Sequence, residues 1–271
     1  MVLTEEECGV WLSFIESELG LILPPIQQKR FEHTISSRMR LAGATSEVYL
    51  DKVRRDALER QELIDDLAIN ETQFFRHQPS FEALREYLCA RSSEFVRMWS
   101  LGCSTGEEAW SLAMIGEELG LNYQVIGTDV SSRALRIAEK GQYHGRKLAL
   151  LGADQLQTFF DPCVSESEQG ACYAVKPSLR EKVAFFKHNI LETSTLPMRQ
   201  INVVFCQNVL IYFRGFVQRD ILNRLTQNLK TGGLLVLGPS EARSWKHPHM
   251  TRYGHSGALA FQRTEVQGDS L

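Results

Sequence analysis

No apolar run in this chain approaches the roughly 18 residues that a membrane span needs, and its opening, MVLTEEECGV, is acidic where a secretory signal would be basic. A soluble, cytoplasmic protein with no direct membrane insertion is expected. An excess of positive charge is missing too: the formal net charge is −3, which removes the usual footprint of a nucleic-acid binder. The six cysteines (Cys8, Cys89, Cys103, Cys163, Cys172 and Cys206) include no C-x-x-C pair, so reduced thiols are expected rather than a disulfide framework. Three of the seven histidines gather in SWKHPHMTRYGHSG, where His247, His249 and His255 have no cysteine or acid at ligand spacing. They read as loop histidines, and no metal is expected. Absent as well are an internal repeat, a low-complexity tract and any His–Asp or Cys–His constellation suited to nucleophilic catalysis. What is there is ordinary globular composition, 43% hydrophobic and 23% charged over 271 residues, enough for one large domain or a small one with a larger one.

Residues 1–69 read as an all-helical domain. Thr4 with Glu7 makes a capping box, Val10, Trp11, Phe14 and Ile15 share one face, and Gly20 suits a stop. Pro24 and Pro25 can open a second helix, with Ile26, Phe31 and Ile35 inward and Gly43 closing it. Thr45 or Ser46 then caps EVYLDKVRR, and ALERQELIDDLAI follows. Residues 70–94 form a linker and one helix.

From residue 95 to 271 the pattern changes to short apolar runs alternating with helical stretches. FVRMWSL (95–101), YQVIGTD (123–129), INVVFC (201–206), GLLVLG (233–238) and ALAFQR (258–263) are strand-like; GEEAWSLAMIGEELG, SSRALRIAEKG and FVQRDILNRLTQNLK are helical. Such alternation predicts an α/β fold, a mostly parallel, Rossmann-like sheet with helices on both faces. Residues 159–186 carry Pro, Gly and alternating apolar residues without a helical period, and read as a small β insertion.

The decisive stretch is WSLGCSTGEEAW (99–110), which leaves a strand, passes Gly102, Cys103, Ser104, Thr105 and Gly106, and enters a helix. Small residues there let a ligand approach the backbone at the carboxyl end of a strand. A pyrophosphate wants helix N–H groups free of negative charge; Glu107 and Glu108 in that first turn would repel it and welcome an ammonium. Asp129 ends the next strand, where an acid can accept hydrogen bonds from both ribose hydroxyls or cap the helix that begins at Ser131. A nucleoside bearing an ammonium and no phosphate fits this pair, as S-adenosylmethionine does and NAD does not.

Five blocks in order then carry a resemblance. NETQFFRH (70–77) resembles the N-E/L-T-x-F-F-R motif of the CheR family of chemoreceptor glutamate methyltransferases. WSLGCSTGEEAWSLAM is similar to their W-S-x-G-C-S-T-G-E-E-P-Y-S-L-A-M, and GTDVSSRALRIAEKGQY to T-D-I-x-x-x-x-L-x-x-A-x-x-G-x-Y. NVVFCQNVLIYF resembles D-V-I-F-C-R-N-V-L-I-Y-F, and LKTGGLLVLGPSEA resembles L-x-P-G-G-x-L-x-L-G-x-S-E. The resemblance implies that the segment at 70–76 links the helical domain to the cofactor domain and closes over S-adenosylmethionine. Asn70, Thr72 and Arg76 would then touch the cofactor, Gly102 and Cys103 would lie under its methionine part, and Glu108, or else Glu107, would pair its ammonium. Asp129 would hold the ribose, Asn189 and Ile190 of HNIL the adenine, and Gln207 and Asn208 the methyl-transfer side. Arg76 and Tyr212 would orient the substrate carboxylate. Gln207 stands where the family pattern has an Arg, Ala109-Trp110 where it has Pro-Tyr, Lys230-Thr231-Gly232 lacks its Pro, and Pro239 replaces a common His.

The implied reaction is methyl transfer to glutamate side chains of a chemoreceptor in chemosensory adaptation, leaving methyl esters and S-adenosylhomocysteine. The implied partner is the receptor's cytoplasmic helical domain, approached by a monomer. Lys29, Arg30, Arg38 and Arg40 offer a partly basic helix face for an acidic bundle. The resemblance also sets a three-stranded subdomain at the 159–186 insertion. Other readings remain open: a methyltransferase acting on another protein or a small molecule, or a non-catalytic regulator that binds the nucleoside. An NAD oxidoreductase is disfavoured by Glu107 and Glu108.

Overall fold

The protein is described here by a computed structural model, which describes residues 3–19, 22, 27–91, 93–164, 171–192, 200–254 and 257–265. Gly20, Pro24, Pro25, Ile26 and His255 lie outside these residues.

Among the described residues four helices precede the linker: α1 (Glu5–Leu19), α2 (Gln28–Ala42), α3 (Ser46–Arg55) and α4 (Ala57–Leu67). The capping box opens α1, Thr4 N donating to Glu7 Oε2 and Glu7 N to Thr4 Oγ1. Trp11, Phe14, Ile15, Phe31, Ile35, Met39, Tyr49, Val53 and Leu63 close one core. Val10 is 48% exposed, contrary to the expected face; Cys8 takes the inward place one turn before Trp11. Gly43 ends α2 at φ 60, a left-handed cap that suits glycine. Thr45 sits at the cap of α3 without a side-chain bond, and Ser46 Oγ instead accepts the buried Trp11 indole N–H. Arg38 is not part of a free basic face: its guanidinium is bound to Glu59 and lies near Glu62 and Asp66. Lys29, Arg30 and Arg40 stay exposed on α2.

After α5 (Gln78–Cys89) come β1 (Phe95–Leu101), α6 (Glu107–Glu118), β2 (Asn122–Asp129) and α7 (Ser132–Lys140). Next follow β3 (Gln142–His144), α8 (Ala153–Phe159), β4 (Phe160–Cys163), β5 (Cys172–Val175), α9 (Pro177–Arg180) and β6 (Val183–Lys187). The chain ends with β7 (Ile201–Cys206), α10 (Gly215–Asn228), β8 (Leu229–Leu237), β9 (Met250–Tyr253) and β10 (Leu259–Arg263). The main sheet has seven strands in the order β6-β2-β1-β7-β8-β10-β9. β6, β2, β1, β7 and β8 are parallel, while β10 runs antiparallel between β8 and β9.

The strand alternation assigns each face. Met98, Val125, Val203 and Val236 pack with residues of α5, α6 and α7 on one side. Their neighbours Trp99, Ile126, Val204 and Leu237 pack with Ile221, Leu222 and Leu225 of α10 on the other. The sheet is therefore doubly wound, and its strand order reverses beside β1, where a crevice opens at the carboxyl ends. None of the described helices is long and apolar enough to cross a membrane.

Three further details depart from the sequence reading. The small sheet is β3-β5-β4, so it begins at Gln142, and the VAFF run joins the main sheet as edge strand β6 against β2. β9 begins one residue after His249 and pairs only with β10; four residues are too few to show a period. Cys163 and Cys172, register partners on β4 and β5 with Cα atoms 5.0 Å apart, form a disulfide. Pairing across a hairpin supplies the geometry that spacing along the chain could not show.

Candidate active site

At the switch beside β1 two adjoining cavities, of about 140 and 160 Å3, share Ile69, Gly102, Ser104, Asn208 and Tyr212 in their walls. The first continues past Asn70, Asp129, His188, Asn189 and Ile190. The second holds Thr72, Arg76, Glu108 and Gln207.

Gly102 adopts φ 75, and a β-carbon on it would collide with Val209 Cγ2; only glycine lets the loops after β1 and β7 meet this closely. Its N–H and that of Cys103 both donate to Thr128 O, at 2.8 and 2.9 Å. That ties the glycine loop to the end of β2. Asp129 is held between the same two loops: Oδ2 accepts Ser104 N at 2.8 Å and Oδ1 accepts Ser131 N at 2.9 Å. Helix α7 is capped by Ser131, whose Oγ accepts Ala134 N; Asp129 accepts only the N–H of that cap residue, so the expectation that it caps the helix itself gives way to Ser131. Burial pushes the Asp129 carboxyl above its usual value, and the N–H groups of Ser131 and Ser104 oppose the rise. Ser104 Oγ donates to Asn70 Oδ1 at 3.2 Å, drawing the linker onto the loop. On the far side, His188 N donates to Asp129 O, and Asn189 Oδ1 accepts Leu191 N, leaving its amide N–H groups for the cavity.

The second cavity is polar. Glu108 accepts Ser100 Oγ at 2.7 Å. Burial raises its carboxyl to about 8, with Glu241 adding to the rise while Ser100 and Arg76 oppose it. Arg76 is exposed, with one guanidinium N–H on Glu71 O at 2.7 Å. Beneath it Phe74 and Phe75 are buried, Phe74 edge-on to Tyr143 and Phe160, Phe75 to Phe81. The Phe75 N–H donates to Ser111 Oγ of α6. The two rings anchor the linker so that Arg76 is carried to the mouth. Gln207 is buried, its Nε2 donating to Ser80 Oγ at 2.8 Å. Tyr212 lines both cavities, and burial keeps its phenol protonated.

Two expected residues lie elsewhere. Cys103 is outside both cavity walls, its sulfur buried and packed toward Gly127 of β2. Glu107 is fully buried and paired with Lys147 and Thr105 Oγ1. It ties α6 to the segment after β3 and leaves the cavity to Glu108. The sequence reading passed over Ser104, His188 and Val209. Ser104 could have been suspected from its place between two glycine-loop neighbours; Val209, an apolar residue in a loop, carried no signal. Among the described residues no group of three His, Cys, Asp or Glu side chains could hold a metal; His247 instead stacks on Trp245.

Comparison with known proteins adds the lineage. The profile described as CheR methyltransferase, SAM binding domain, matches residues 70–256. "Chemotaxis protein methyltransferase Cher2" of Pseudomonas putida is 32% identical over 268 residues, covering 92% of this chain and 94% of that one. "Chemotaxis protein methyltransferase 1" of Pseudomonas aeruginosa is 34% identical over 246 residues, 84% and 87% of the two chains. A further relative there, "Probable biofilm formation methyltransferase WspC", is 31% identical over 260 residues, 92% of this chain and 60% of that one. The match runs from the linker at Asn70 through every strand of the main sheet but β10, and this chain accordingly belongs to the CheR methyltransferase family.

Proposed function

We propose that this protein works in the cytoplasm as a monomer and methylates side-chain carboxylates of glutamates on the helical domain of a chemoreceptor, using S-adenosylmethionine. The observation that carries the reading is the meeting of Glu108 and Arg76 in one cavity that continues to Asp129. The two acids suit the ammonium and the ribose of the cofactor, and Arg76 beside Tyr212 suits the carboxylate of an arriving substrate.

The donor set fits S-adenosylmethionine. Each Asp129 oxygen takes one N–H from the protein and keeps lone pairs for hydroxyls. Glu108 suits an ammonium, Asn70 and Thr72 close the linker side, Gly102 lets the loop come close, and Asn189 with Ile190 suits the adenine. Gln207 and Asn208 flank the end nearest Tyr212. Bound S-adenosylmethionine supplies a methyl group on a sulfonium. A substrate glutamate, with pKa about 4.3, is ionised at neutral pH, so no residue of this chain needs to remove its proton. Arg76, with most of its N–H groups free, and the neutral phenol of Tyr212 orient its oxygens. Alignment of this kind contributes on the order of 7 kcal/mol or more. The buried Phe74 and Phe75 keep water from the linker side.

The docking face is narrower than four basic residues would make it. Arg38 is bound to Glu59, so Lys29, Arg30 and Arg40 remain to meet an acidic helix. The test is transfer of labelled methyl from S-adenosylmethionine to purified receptor cytoplasmic fragments. Base-labile label on glutamates supports the reading. Nucleoside binding without turnover on any fragment would favour a regulator, and label on another acceptor would favour the broader methyltransferase.

A further inference from the structure

Glu241 lies in GPSEA, in the turn after β8, and no role above uses it. It is 2% exposed, and all its partners are backbone. Oε2 accepts Gly238 N at 2.7 Å and Asn208 N at 3.0 Å; Oε1 accepts Leu210 N at 2.7 Å and Ile211 N at 3.4 Å. One bond closes its own turn. The other three reach the loop that leaves β7 and brings Asn208 and Tyr212 to the cavity.

That loop needs holding. Asn208 sits at φ 60, a left-handed conformation that a residue with a side chain adopts seldom and only when its surroundings impose it. Val209 is pressed against Gly102. Removing the carboxylate would strand several buried N–H groups at once. Gly238 has room for the carboxylate only because it lacks a side chain: a β-carbon there would collide with Glu241 Oε2 and come within 3.1 Å of Asn208 N.

We infer that Glu241 is a positioning residue for methyl transfer, a buried carboxylate at the end of β8 that sets the backbone after β7 and thereby the placement of Asn208 and Tyr212. The inference rests on the proposed role of those two residues.

The test compares Glu241→Gln and Gly238→Ala with wild type, the second moving the carboxylate without removing it. Gly238 has no positive φ, so alanine is acceptable to the backbone. Glu241→Gln is expected to lower kcat about a hundredfold, with S-adenosylmethionine Kd within about fivefold of wild type. Gly238→Ala should lower kcat in the same sense, and the double variant should be no worse than Glu241→Gln alone. A loss confined to folding would not split kcat from Kd in this way. In Glu241→Gln the pH midpoint of nucleoside affinity should also fall, because Glu108 loses an anionic neighbour. Turnover of Glu241→Gln within about twofold of wild type, or additive losses in the double variant, would overturn the inference. If Glu241→Gln lacks a cooperative unfolding transition, unchanged turnover in Gly238→Ala overturns it instead. Asn208→Ala and Tyr212→Phe run in parallel. A loss of turnover in these with none in Glu241→Gln removes the inference alone, and no loss in any of them removes the reading beneath it as well.

Discussion

The two ends of the cavity are built in different ways. At the end we propose for the nucleoside, opposite the one proposed for methyl transfer, Asp129 is fixed by backbone N–H groups from two loops, and its neighbourhood is braced from outside by α4. Gln61 Nε2 donates to Val130 O, and Asp65 accepts both Gln61 and the Arg133 N–H at the start of α7. At the transfer end the groups are side chains on longer leads: an exposed Arg76 held by one backbone oxygen and a phenol at the mouth. Rigid main-chain anchoring favours tight, unvarying binding of a cofactor. Longer side chains at an open mouth favour gripping a carboxylate that arrives on another protein and must leave again. Affinity should therefore reside mainly at one end and turnover at the other.

Substitutions can break that division. Asp129→Ala should have the largest effect, weakening S-adenosylmethionine by about two to three orders of magnitude in a calorimetric titration, since a charged acceptor of two hydrogen bonds is lost. An affinity change of only a few-fold would mean that the nucleoside is held elsewhere. Arg76→Ala should lower kcat about a hundredfold with cofactor affinity within about threefold, measured as labelled ester formation. If affinity collapsed as well, the two ends would not be separable.

Protonation sharpens the same contrast. Glu108, pushed up to about 8 mainly by burial, is protonated below that pH in the empty protein, and only its carboxylate pairs with an ammonium. Cofactor affinity should accordingly rise with pH below 8, by about tenfold from pH 6 to pH 7. In Glu108→Gln the rise should vanish. The smallest effect belongs to the brace: Gln61→Ala should weaken the cofactor about threefold, the size of one neutral hydrogen bond, and leave kcat alone. A larger fall in kcat than in affinity would show that the helical half acts on the transfer end instead.

Much of this was legible beforehand, for identifiable reasons. β1 and β7 match their apolar runs to the residue, because central parallel strands are buried on both faces and read as continuous hydrophobic stretches. Asp129 at a strand end and Glu108 in a first helical turn are aimed by local geometry, whereas Arg76 was marked only by the family motif and is carried to the mouth by the packing of Phe74 and Phe75. Edge strand β6 was assigned to the small insertion and β9 was missed, since a short strand paired on one side leaves little pattern. Cys103 was misplaced because a motif names a residue without saying which way its side chain turns.

The sequence alone determined the helical and strand periods, the glycine loop and the presence of acids after β1 and β2, all consequences of interactions within a few residues of chain. The tertiary structure decided that Glu107 pairs with Lys147 rather than a ligand, that Arg38 is spent on Glu59, that Cys163 meets Cys172, and that Glu241 gathers the N–H groups of a loop some thirty residues upstream. Those outcomes depend on which distant segments are packed side by side, because hydrogen bonds form only at contact and screened charges interact over about 10 Å.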